Sequence, residues 1–150
     1  ASHRHAGRTA QLEFRELAFA ALDRQSLPEA PFRFVICVQA LHEVDHAEKQ
    51  RLFAQVRNLI DKDGKFYVLD RFTYDHENFS DEYRATWQRL NQTAELAEPL
   101  DYDSYHTRYS AKTDHVAGVD DYLGWMQEAG FNAVCIYQQF NRALLCARPT

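Results

Sequence analysis

Residues 32–45 read Phe-Arg-Phe-Val-Ile-Cys-Val-Gln-Ala-Leu-His-Glu-Val-Asp, and residues 65–70 read Lys-Phe-Tyr-Val-Leu-Asp. The run 32–38 is short, β-branched and apolar on both faces, the pattern of a central strand in a parallel sheet covered by helices. Between the two runs, residues 47–61 place Leu52, Phe53, Val56, Leu59 and Ile60 at helical spacing, one apolar stripe. Asp45 stands where an N-cap belongs, with Glu48 three residues on. Asp63-Gly64 is expected to stop that helix and turn the chain into the second strand. Strand, capped helix, turn and strand make a βαβ unit, whose crossover is right-handed in nearly all cases.

Working outward, residues 1–10 are polar and basic and read as a frayed end. Leu12, Phe14 and Leu17 suggest a short strand, and residues 18–23 read equally well as helix. Downstream, residues 80–97 are helical, with Tyr83, Trp87, Leu90 and Ala94 on one face. Residues 98–117 lack periodicity and carry His106 and His115. Val119, Tyr122, Leu123 and Met126 mark a further amphipathic helix closed by Gly130. Two strands follow, at 133–139 and 142–148, and the short Phe140-Asn141 connection requires an antiparallel hairpin. The expected architecture is a single α/β domain over residues 1–150. Its sheet is Rossmann-like and mostly parallel, with helices on both faces and a C-terminal antiparallel hairpin.

Composition narrows the function. The 150 residues are 45% apolar and 26% charged, a globular balance with enough chain for a core. Seventeen Lys and Arg against 22 Asp and Glu give −5, which argues against a nucleic-acid binder. No apolar run approaches the roughly 20 residues needed to cross a bilayer. Cys37, Cys135 and Cys146 lie in apolar stretches without a CxxC, which reads as reduced core thiols of a cytoplasmic chain. Among the five glycines no two are spaced as GxG, so neither a dinucleotide fingerprint nor a P-loop is present. His42-Glu43-Val44-Asp45-His46 matches HExxH, whose chemistry needs both histidines one helical turn apart on one face. An N-cap at Asp45 puts a non-helical residue between them, and no metal ligand is assigned.

The stretch from Phe32 to Phe72 resembles the second half of a class I S-adenosylmethionine-dependent methyltransferase. FRFVICVQALHEVD, AEKQRLFAQVRNLI, DKDG and KFYVLD follow that family's order of strand, capped helix, turn and strand ending in an acid. DDYLGWMQEAGF and NAVCIYQQFNRALLCARP are similar to its last helix and closing hairpin. Phe32-Arg33 and Lys62-Asp63-Gly64 depart from the usual Phe-Asp and Pro-Gly-Gly. The family's Gly-rich loop and ribose-binding acid have no counterpart here, so the expectation is a cofactor-binding half that is truncated or supplied elsewhere.

The resemblance implies that Val38, Gln39 and Leu41 wall the methionine end of S-adenosylmethionine, and that His42 and Arg71 face the substrate. In open α/β sheets ligands sit beyond the carboxyl ends of the strands, where both loops emerge. His106 is a second candidate base, and Tyr83 and Trp87 are candidates to line a substrate lid. Each has a plainer reading: Leu41 packs, Arg71 pairs with an acid, and the aromatic stripe is core. Three functions stay open: methyl transfer to a small molecule, a non-catalytic remnant used for dimerisation or partner binding, and an HExxH zinc hydrolase. The strand at Phe32, lacking the family's neighbouring strand, is expected to recruit a second copy, making the chain a homo-oligomer.

Overall fold

A computed structural model describes residues 13–93, 101–109 and 114–150. Four strands, β1 (Phe32–Val38), β2 (Ile60–Arg71), β3 (Phe131–Gln139) and β4 (Arg142–Pro149), form one sheet in the order β1-β2-β4-β3. β1 and β2 are parallel, and β4 runs antiparallel to both β2 and β3. Helix α1 (His46–Leu59) makes the crossover, and α2 (Ser80–Thr93), α3 (Tyr102–Tyr109) and α4 (Val119–Glu128) fill the long connection from β2 to β3. The α/β class and the closing hairpin are as the sequence implies. Phe140 turns that hairpin with φ 51°, and Gly130 ends the run after α4 with φ 86°, where a Cβ is disfavoured.

α1 begins as its cap predicts: the Asp45 carboxylate accepts the Glu48 N–H at 2.8 Å. Leu52, Phe53, Val56 and Leu59 are buried along its inner stripe, as their spacing requires. Leu52, Phe53 and Val56 meet Phe66 and Val68 of β2, Ala143, Leu145 and Ala147 of β4, and Tyr122 and Met126 of α4. Through this core runs a file of rings, Phe131–Phe66–Phe53–Tyr122–Phe72, with successive centroids 6.0, 6.0, 5.8 and 4.7 Å apart.

Three local expectations are corrected. Asp63-Gly64 does not separate helix from strand: α1 ends at Leu59 and β2 starts at once, so both residues lie within β2. There the register jumps from Phe32↔Ile60 to Phe34↔Lys65. A Cβ on Gly64 would stand 2.6 Å from Ile60 Cγ1 and 3.0 Å from the Phe32 carbonyl oxygen, so this glycine serves a close approach between strands. The stretch read as aperiodic contains α3, started by Asp101, whose carboxylate accepts the Ser104 N–H at 2.9 Å. Residues 13–18 form no strand, and a single 3-10 turn follows at Phe19–Ala21. Leu12 and Ala94 lie outside the described residues.

Finally, β1 is an edge, and one of its faces is open. Phe34, Ile36 and Val38 are 55%, 66% and 53% exposed. Helix cover on both faces was expected; among the described residues α1 and α4 pack on one. No helix among them is long and apolar enough to cross a membrane.

Candidate functional site

β1 and β2, being parallel, deliver their carboxyl ends to the same edge of the sheet, and the loops that leave them meet there. β2 ends in Asp70-Arg71. The Asp70 side chain is fully buried and accepts four hydrogen bonds. Three come from backbone N–H groups: Leu41 at 2.6 Å, His42 at 3.2 Å and Arg71 at 2.7 Å. The fourth joins its carboxylate to His42 Nδ1 at 2.5 Å. One carboxylate thus fixes the 3-10 turn Leu41–Glu43 and the imidazole it carries. With Nδ1–H given to Asp70, the imidazole keeps Nε2 as its proton-accepting nitrogen. Nε2 lies 3.8 Å from the carboxylate of the exposed Glu43, while the His42 side chain is itself buried, 7% exposed.

This geometry departs from HExxH. His42 belongs to the 3-10 turn, Asp45 caps the helix after it, and His46 opens that helix with its ring 5.3 Å from Trp125. The two histidines flank a cap rather than sharing a helical face. Among the described residues no group of three or more His, Cys, Asp or Glu is placed to hold a metal ion.

The other sequence candidates fall into three places. Val38 is exposed at the end of β1, and Gln39 follows with φ 54° and its N–H on the Leu69 carbonyl at 2.8 Å. Both stand at the strand ends. Leu41, in contrast, is wholly buried in the core cluster, so its side chain offers no wall to a ligand. Arg71 is committed to Asp114 at 2.7 Å, both side chains being mostly buried. It latches the segment before α4 to the end of β2.

His106, Tyr83 and Trp87 belong to a separate aromatic cluster. Tyr74 OH bonds His106 Nδ1 at 2.9 Å, and His76 bonds Tyr102 OH at 2.8 Å. The two imidazoles stack at 3.5 Å. Burial, and then the facing His76, hold His106 below the usual histidine pKa. Burial pushes the Tyr74 phenol far up, helped by the hydrogen bond to Tyr102. Tyr83 meets Tyr74 edge-on at 4.7 Å, and Trp87 lies 4.2 Å from Tyr105 and 5.5 Å from Phe140. These side chains fasten α2 and α3 to the hairpin tip. The thiols are free, and burial, with Asp70 nearby, pushes Cys37 up to about 11, an unreactive core thiol.

The sequence reading passed over Asp70 as a functional residue. Its signal was present, an acid closing an apolar strand where ligands gather. Lys49, also wholly buried, gave no signal, since a lysine on a helix usually faces water.

The open sheet, with one parallel crossover and a closing antiparallel hairpin, has a class I S-adenosylmethionine methyltransferase-like fold. Solved structures with this likeness include an O-methyltransferase family protein from Burkholderia thailandensis, 16% identical, TM-score 0.59, with 92% of this chain and 36% of that one covered. DhpI in its complex with SAH is 13% identical, TM-score 0.57, with 91% and 54% covered. An O-methyltransferase family 2 protein from Planctomyces limnophilus DSM 3776, solved with apigenin, is 18% identical, TM-score 0.51, with 80% and 32% covered. The chain thus spans between about a third and a half of the length of these structures. No protein-family model matches the sequence, and no curated protein is similar to it by sequence.

Proposed function

We propose that this chain is the acceptor-side half of a small-molecule methyltransferase, with His42 as the base that receives the acceptor's proton. The observation that carries this reading is the His42–Asp70 pair. A buried carboxylate with four donors holds one imidazole nitrogen and leaves the other, 3.8 Å from the exposed Glu43 carboxylate, at the carboxyl edge of a parallel pair. Methyl transfer from a sulfonium is a displacement in which the protein orients the partners, excludes water and moves one proton. S-adenosylmethionine supplies the methyl group. An acidic chain suits a small acceptor better than a nucleic acid.

Residues present at the strand ends do not make a full site for S-adenosylmethionine. Val38 and Gln39 offer one wall, Leu41 is withdrawn into the core, and no described residue forms a Gly-rich turn or a ribose-binding acid. Hydrogen bonds to charged groups contribute roughly 1.5–3 kcal/mol each. Missing two such anchors weakens binding by roughly two to four orders of magnitude. The expected outcome of calorimetric titration is therefore weak or undetectable heat at micromolar cofactor. At millimolar cofactor, amide shifts in a proton–nitrogen spectrum should centre on Val38, Gln39 and His42. No shifts there would sink the methyltransferase reading.

A second reading has its own observation: the open apolar face around Ile36 favours a non-catalytic role in dimerisation or partner binding. Labelled methyl transfer to small hydroxyl acceptors, abolished in His42→Ala, separates the two.

A further inference from the structure

We propose that Lys49 is a positioning residue for His42, acting through the peptide of His115; this rests on the reading of His42 as the base. Lysine is almost never fully buried unless paired, yet Lys49 is wholly buried on the inner side of α1. Its ammonium donates to the His115 carbonyl oxygen and lies 5.6 Å from the centroid of the Tyr122 ring. On its other side, the same residue donates its backbone N–H to the His42 carbonyl oxygen at 2.7 Å. Lys49, His115 and His42 therefore stand in series.

The flanks of residues 114–117 are held as well. Asp114 pairs with Arg71 at 2.7 Å, and the Ala117 carbonyl accepts the Thr73 N–H at 3.0 Å. Arg71 at the end of β2, Thr73 just after it and Lys49 of α1 thus pin one short segment against the His42 turn. Asp70 holds the imidazole and the His42 N–H from within the core, while His115 holds the His42 carbonyl. Burial pushes the Lys49 pKa down, and the charges of Asp70 and Asp45 oppose that shift. A buried ammonium in this place fixes His115, and through it the orientation of the histidine on which the proton transfer depends.

Lys49→Met keeps an unbranched side chain one atom shorter than lysine and removes charge and donor. Two readouts test the role: hydrogen exchange at the His115 amide, and the ring nitrogen shifts of His42 at neutral pH. In Lys49→Met, His115 is expected to lose protection by about tenfold or more relative to β2 amides. The His42 ring should also change from one Nδ1–H form to a mixture of tautomers. Lys49→Gln, a shorter neutral donor, should move both in the same direction by less, and it decides the matter if the Met variant does not fold. Unchanged exchange and unchanged ring shifts in a folded variant would overturn the proposal. Failure of the base reading would look different: methyl transfer indifferent to His42→Ala, with the exchange result intact.

Discussion

Both faces of the sheet are largely apolar in sequence along β1, and they are unequal in structure. On one face Val35 and Cys37 pack toward the core that α1 and α4 close. On the other, Phe34, Ile36 and Val38 stand more than half exposed, and Val134, Ile136 and Tyr137 do the same at the far edge on β3. Register sets Ile36 beside Tyr67, Tyr67 beside Cys146 and Cys146 beside Val134, so one row of side chains crosses all four strands. Such a continuous row is more than the scattered apolar residues of an ordinary surface, and patches of that kind mark interaction sites. The difference teaches that an apolar strand reports a need for cover without saying which chain supplies it.

Phe53→Ala probes the covered face most severely. It removes the centre of the ring file between Phe66 and Tyr122, and a loss of about 3–5 kcal/mol is expected in chemical denaturation. A loss below about 1 kcal/mol would mean that this face is loosely packed, and the contrast between faces would disappear.

Asp70→Asn probes the end of the sheet where the faces meet. Replacing the carboxylate weakens charge-assisted bonds to three backbone N–H groups and to His42, and a cost of about 1.5–3 kcal/mol is expected. Asp45→Ala, which takes the cap from α1 on the covered face, should cost about 1 kcal/mol.

Acid reaches the aromatic cluster rather than either face. His106 has a folded pKa lowered from 6.5, so the folded state binds its proton less readily than the unfolded chain. Its contribution to stability is full above 6.5 and is lost as the pH falls through the lowered folded value. Near-ultraviolet dichroism from Trp87 and the tyrosines should decline across that window while far-ultraviolet helix signal persists. A signal flat with pH would show that the stacked His76–His106 pair tolerates charge.

Ile36→Asp is expected to have the smallest effect on the stability of the single chain, within about 0.5 kcal/mol, because the side chain is exposed. Its effect on mass is the sharper test. Light scattering should give a dimer or larger assembly for the wild type, built on the β1 edge, unpaired among the described residues, and its open face, and a monomer for the variant. A stable wild-type monomer at high concentration would leave the open face without a partner copy.

Much of the fold was legible where local chemistry and long-range packing agree. The α1 stripe, the Asp45 cap, the Gly130 stop and the Phe140-Asn141 turn are each decided within a few residues. Helix α3 was hidden because its buried positions, Tyr102 and Tyr105, are amphipathic residues among polar neighbours. Its cap, Asp101 with Ser104, was a readable sign. Asp63-Gly64 misled because the same dipeptide that turns a chain also permits two strands to approach closely. At the site, His42 was visible through its place after β1, whereas Asp70 and Lys49 act through burial, which depends on contacts between residues far apart in the chain.

β4 is made after β1, β2 and β3, yet it lies inside the sheet, between β2 and β3. Ala143, Leu145 and Ala147 lie wholly within the core, so the hydrophobic layer under α1 stays incomplete until they arrive. On the ribosome, β1, α1 and β2 emerge before β3 and β4 and wait as a two-stranded unit with an unpaired β2 edge. Closure of the sheet therefore waits for β4. A nascent or prematurely terminated chain that stops before Arg142 would expose both an apolar edge and an apolar core face, the kind of species that chaperones and proteases remove.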